Sequence, residues 1–213
     1  MTDPRQPAAP GPADTPDPSA ADRRREATLA GHRGDRGTAR GLLADPSPVV
    51  RAAALGALAR LEALEDGDLA AALADPDPGL RHRAVVLAAA RPGPPLLALL
   101  GDAAATVVEV TAWALGERPE AEPGTVDALA RLVVDHDDPL VREAAVAALG
   151  AIGDDRGLPA ILHGLGDRAT VRRRAVLALA PFEGPEVDAA LERARTDRDW
   201  QVRQAAEELS DPS

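Results

Sequence analysis

The 213-residue chain contains no cysteine, tyrosine, lysine or asparagine, and its aromatic residues are one Phe and two Trp. Without cysteine there is no disulfide framework and no thiolate-bound metal. With so few aromatics, any core has to be assembled from Ala, Leu and Val. Positive charge is also scarce: 24 basic residues, all Arg, stand against 35 acidic ones, for a net charge of −11. That balance argues against holding nucleic acid or anionic lipid by bulk electrostatics, so neither a nucleic acid nor a membrane is expected as partner. The exclusive use of Arg follows the codon bias of a GC-rich genome and carries no functional weight. No apolar run reaches the roughly 18 residues of a membrane span. The opening stretch MTDPRQPAAPGPADTPDPSA lacks the apolar segment of a secretory signal, and a cytoplasmic protein is expected.

Residues 1–20 hold six prolines (Pro4, Pro7, Pro10, Pro12, Pro16, Pro18) and no Val, Ile, Leu or aromatic residue. Such a segment has nothing to bury against the entropy of ordering, so 1–21 is expected to be a disordered tail. The stretch 22–33 keeps only Leu29 of an apolar face and is expected to be a polar capping helix. The repeat domain then runs over 34–210, with 211–213 as its C-terminal end.

Self-similarity fixes the fold class. An Ala/Leu-rich helix led by an apolar residue recurs at Val50, Leu80, Val107, Val141, Val171 and Val202, with separations of 30, 27, 34, 30 and 31 residues. Within each copy the apolar positions follow i, i+3, i+4, i+7, i+8, as in Val141, Ala144, Ala145, Ala148 and Leu149, which is one face of an α-helix. The turns DPSP (45–48), DPDP (75–78) and DDP (137–139) precede these helices. In Ser47-Pro48, Asp77-Pro78 and Asp138-Pro139 the first residue is placed to cap the helix and Pro to open it. Upstream of each turn lies a shorter first helix: 37–44, 67–74, 94–101, 125–134, 157–166 and 185–195. A lone helix pair of this size cannot bury enough surface to fold, so neighbours must stack. The expected fold is all-α, an α-solenoid: a right-handed superhelix of about six antiparallel helix pairs.

The pattern IGDDRGLPAIL followed by GDRATVRRRAVLALA resembles the short HEAT-like repeat seen in phycobilin lyase subunits, and the resemblance covers 34–210. It implies that the turn Asp and the second-helix Arg form a ladder between successive repeats. The Asp precedes the Arg position by six residues in Asp45/Arg51, Asp75/Arg81 and Asp197/Arg203. In the third repeat Asp102 meets Val108 at the Arg position, so a broken rung and an unpaired Asp102 are expected. The fourth repeat has His136 at the Asp position and the fifth has Gly166 beside Asp167.

No catalytic site, cofactor or metal is expected. Four Ser and four His offer no nucleophile–base set, and no phosphate-binding glycine motif is present. The deoxyhypusine hydroxylases resemble this fold and hold di-iron with His-Glu dipeptides, whereas here His32, His82, His136 and His163 are followed by Arg, Arg, Asp and Gly. An enzyme-associated protein of the lyase or hydroxylase type is the alternative reading, with a nucleic-acid-binding repeat as a third. The acidic turn DHDDP (135–139) reads as a helix cap. Arg172, Arg173 and Arg174 make a basic run, but the Arg173 column also holds His82, Glu109 and Glu143.

Counting from the leading apolar residue, positions +2, +6 and +9 are expected to point away from the core. The +6 column reads Gly56, Val86, Trp113, Ala147, Leu177 and Glu208. Val86, Trp113 and Leu177, flanked by His82, Glu109, Glu143 and Arg173, outline a groove with an apolar floor. The function expected is therefore that of a non-catalytic scaffold or adaptor binding a protein or peptide partner on its concave face. Trp200 is expected to pack on the preceding repeat near Phe182.

Overall fold

The computed structural model describes residues 18–91 and 93–210, which form two compact units, one ending at Leu64 and the other beginning at Glu65. The fold is all-α, of the α-solenoid type: among the described residues there are twelve α-helices, short 3-10 turns and no strand. None of the helices is long and apolar enough to cross a membrane. The tail expected at 1–21 lies outside the described residues up to position 17.

In the first unit, α1 (Pro18–Arg33) lies along α3 (Pro48–Arg60), with the short α2 (Arg36–Gly41) between them. α1 begins four residues before the expected start at 22, and it does not fit the reading as a polar cap. Its buried face is Ala20, Ala27 and Ala30, while Leu29 is 37% exposed. Gly31 rides on α3 so closely that a Cβ there would lie 3.0 Å from the Cα of Ala57. Arg23 grips both carboxylate oxygens of Asp45, at 2.6 and 3.1 Å. These are second-helix features, so α1 acts as the second helix of a further repeat. Counting large apolar residues missed it because an all-Ala face buries little area per residue yet lets backbones approach.

The second unit continues with α4 (Asp66–Leu73), α5 (Pro78–Ala89), a 3-10 helix (Leu97–Gly101), α6 (Ala105–Glu117), α7 (Thr125–Asp135) and α8 (Pro139–Ile152). It ends with α9 (Leu158–Gly164), α10 (Ala169–Ala178), α11 (Pro185–Ala194) and α12 (Trp200–Ser210). The second helices α5, α6, α8, α10 and α12 pack in series, each onto the next. Asp77 and Asp138 cap α5 and α8 by accepting from the Leu80 and Leu140 N–H groups, and Pro opens both helices as expected. Ser47 makes no such cap; its own N–H instead donates to the Asp45 side chain at 2.9 Å.

Two corrections concern packing. The expected first helix at 94–101 is reduced to the five-residue 3-10 segment, because Pro94 and Pro95 supply no N–H and the Leu96 and Leu97 N–H groups donate to the Glu122 carboxylate. Position +9 does not point away from the core in α6 and α8. A Cβ on Gly116 would lie 2.8 Å from Ala148 Cα, and one on Gly150 2.7 Å from Ala178 Cα. Glycine there allows the helices to meet backbone to backbone.

The ladder is present, but each rung joins an Arg to the turn of the following repeat. Arg81 holds Asp102 through Nε and Nη2, both at 2.7 Å; Arg142 holds Asp167 at 2.6 and 2.8 Å; Arg172 holds Asp197 at 2.9 and 2.8 Å. The same guanidinium donates Nη1 to its own turn, at the carbonyls of Asp75, His136 and Asp167. Asp102 is therefore paired, contrary to the expectation from the sequence, which compared residues within one repeat when the bond runs to the next. The seam without this pair is the next one, where Val108 stands in the Arg position and His136 in the Asp position. There His136 Nδ1 accepts from the Asp138 N–H at 3.0 Å, reproducing the local turn bond that Asp102 makes to Ala104 N–H. Hydrogen bonds from the facing guanidinium hold the Asp102, Asp167 and Asp197 carboxyls below the usual carboxylate range.

Candidate functional site

α6 has two faces set by its sequence. Val107, Val108, Ala112, Ala114 and Leu115 are buried, and Thr111 satisfies its hydroxyl by donating to the Val107 carbonyl at 2.6 Å. On the other side Glu109, Trp113 and Glu117 follow one another at i, i+4 and i+8, a single stripe along the helix. Trp113 is 42% exposed.

This stripe borders a groove of about 620 Å³. α8 supplies the floor through Ala144, Ala147, Ala148 and Ala151, with Leu140, 55% exposed, at its start. His82 reaches it from α5 and Arg174 from α10. Small floor residues make the groove: alanines on α8 leave the indole standing above its neighbours. The rim carries the carboxylates of Glu109, Glu117 and Glu143 against one guanidinium. That guanidinium, Arg174, already faces Glu143 at 3.6 Å, and its buried Nε has no hydrogen-bond partner among the described residues. Glu109 and Glu117 have no ion-pair partner among the described residues.

Of the residues singled out in the sequence, His82, Glu109, Trp113 and Glu143 come together here. Val86 is half-buried on α5 and does not line the groove. Leu177 packs against the C-terminal cluster of Val176, Val202, Ala205 and Ala206. Arg173 is exposed away from the groove, and its neighbour Arg174 takes the place assigned to it. Glu117 and Leu140 were missed. Glu117 follows Trp113 by four residues, a signal that a stripe on α6 alone would have supplied. Trp200 is 62% exposed and Phe182 6%.

The acidic turn at 135–139 is occupied internally: His136 accepts from Asp138 N–H, and Asp138 caps α8. Among the described residues no group of three or more His, Asp or Glu side chains is arranged to hold a metal ion. A second cavity of about 500 Å³, lined by Leu97, Leu100, Ala128, Leu132 and His136, lies between the 3-10 segment and α7.

Comparison with known proteins bears on the same stretch. Residues 93–180 match the family described as HEAT repeats. Among solved structures, an engineered protein shares the fold with a TM-score of 0.56 at 20% identity, over 88% of this chain and 62% of its own. A designed armadillo repeat protein in complex with the peptide (KR)4 aligns with a TM-score of 0.47 at 20% identity, over 93% of this chain and 96% of its own. Human deoxyhypusine hydroxylase in complex with glycerol aligns with a TM-score of 0.47 at 20% identity, over 92% of this chain and 80% of its own. At 20% identity the likeness to the engineered protein is one of fold. No curated protein matches the sequence. The matched region contains α6 and α8 and so most of the groove.

Proposed function

We propose that the chain is a non-catalytic interaction module whose HEAT-repeat groove binds a segment of a protein partner. The observation that carries this reading is Trp113: a large aromatic, 42% exposed, above an alanine floor in a chain with three aromatic residues in all. Half-exposed Trp at a concave site is the residue type that most often dominates protein interfaces. The hydroxylase alternative would call for His-Glu pairs, and none of His32, His82, His136 and His163 is followed by Glu.

Immobilised wild-type protein, Trp113→Ala and Trp200→Ala test the reading. Trp200 serves as an exposed indole away from the groove. Partners retained by the wild type and by Trp200→Ala should be lost by Trp113→Ala with an affinity drop of about tenfold or more. Helicity and melting temperature should stay close to wild type. Trp113→Ala that unfolds as readily as it loses partners would show that the indole is structural and remove the site.

A further inference from the structure

We propose that the groove reads a basic side chain: an Arg or Lys of an extended partner segment, laid over Trp113 between Glu109 and Glu117. This rests on the reading of the groove as a protein-binding site and adds the chemistry of what enters it.

The first argument is spacing. At about 1.5 Å of rise per helical residue, the carboxylates of Glu109 and Glu117 are carried by positions about 6 Å to either side of Trp113 along α6. A cation attracted to an indole face sits within about 6 Å of the ring, so one site gives it both the ring and a carboxylate. An exposed indole bracketed this way is negative on its face and flanked by negative charge on its own helix.

The second argument is charge balance. Arg174 faces Glu143, so the uncompensated charge of the groove is concentrated on the α6 stripe. An acidic partner closing over Glu109 and Glu117 would strip water from two carboxylates and add repulsion, and a neutral one would return hydrogen bonds but no opposite charge. A basic side chain pairs with them as it covers the indole. The net charge of −11 on the whole chain also favours the approach of a basic segment.

The third argument is shape. Ala144, Ala147 and Ala151 leave a shallow apolar floor beside the stripe, with Leu140 at its end. In an extended segment successive side chains point to opposite sides. A basic residue placed on Trp113 then alternates with apolar residues directed at the alanines and Leu140.

The test uses three synthetic nonapeptides, Gly-Ser-Leu-Xaa-Leu-Xaa-Leu-Ser-Gly, with Xaa as Arg, Gln or Glu. In full-length protein carrying Trp200→Phe, Trp113 is the only indole and its fluorescence reports occupancy of the groove. The Arg peptide should bind roughly tenfold more tightly than the Gln peptide, and the Glu peptide least. Glu109→Gln with Glu117→Gln should reduce that preference to about twofold or less. Glu183→Gln with Glu186→Gln, both exposed outside the groove, changes the net charge equally and should leave the preference intact. Equal binding of the Arg and Gln peptides, or a preference that survives in Glu109→Gln/Glu117→Gln, overturns the basic-residue proposal and leaves the groove as a protein-binding site. If no peptide alters the Trp113 signal, the groove reading itself falls, and the proposal with it.

Discussion

The stretch from α8 to α12 and the stretch around α6 are built from the same repeat but obey different rules. From α8 to α12 each junction carries a full first helix, an Arg clamped on the next turn's Asp, and small residues where helices touch. Around α6 the first helix shrinks to the five residues Leu97–Gly101, and a separate clasp holds the segment. In that clasp Glu122 accepts from the Leu96 and Leu97 N–H groups and from Arg118, while Arg118 also donates to the Pro94 carbonyl. The Arg position becomes Val108, and the exposed face holds Trp113. Departures from the repeat therefore gather in the unit that also carries the groove. Consistency across levels is what specifies a fold, and the places that break it are where function is expected.

The sharpest way to break the regular region is to fill its helix contact. Gly150→Leu puts a side chain where even a Cβ would lie 2.7 Å from Ala178 Cα, and it should cost at least about 3 kcal/mol in urea unfolding. Gly101→Ala, with nothing within 4 Å, should be nearly neutral.

Next in size is the removal of a rung. Arg172→Val leaves the Asp197 carboxylate without its guanidinium and the Asp167 carbonyl without its donor, for a loss of about 2–3 kcal/mol. Adding Asp197→His to Arg172→Val copies the natural pair Val108/His136 into the regular region and should recover most of that loss. The rung also sets the response to acid. Asp102, Asp167 and Asp197 have folded-state pKa values below their ordinary values, so the unfolded chain takes up protons first as pH falls. Their contribution is complete above the ordinary carboxylate range near pH 4 and is lost as pH drops through and below it. Melting temperature should fall from pH 5 to pH 3, and less steeply in Arg172→Val. Asp154, drawn down to about 2 chiefly by its hydrogen bond from Arg156, spans only one turn and joins no two repeats.

The smallest effect comes from making the irregular seam regular. Val108→Arg alone should destabilise by about 1–2 kcal/mol, since its guanidinium has no carboxylate waiting. Val108→Arg with His136→Asp should return to within about 1 kcal/mol of wild type. Unfolding curves of the two variants decide whether the seam was a rung exchanged as a pair.

The stacked helices were legible because their signals are local: apolar residues at helical spacing, Asp-Pro turns and a period near 30. What escaped involved partners far apart in sequence or residues too small to count as core. α1 looks polar in the sequence because its buried face is alanine. Asp102 looks unpaired in the sequence because its partner Arg81 lies in the previous repeat, 21 residues away. At the site, the +2 and +6 columns located His82, Glu109, Trp113 and Glu143. They failed for Val86, which stays half-buried on α5, for Leu177, which the last helices cover, and for Arg173, where a shift of one residue on the helix turns the side chain outward and presents Arg174 instead.

The seam between Val108 and His136 also has a consequence for assembly. The clamps at Arg81, Arg142 and Arg172 are chemically interchangeable, so nothing in them prevents a helix from docking one unit out of place while the chain collapses. A slip past position 108 would press the Val108 side chain against an aspartate or leave a guanidinium facing an imidazole. The odd pair thus works as a keyed joint, marking one address in a chain of near-identical parts and penalising mispaired stacks.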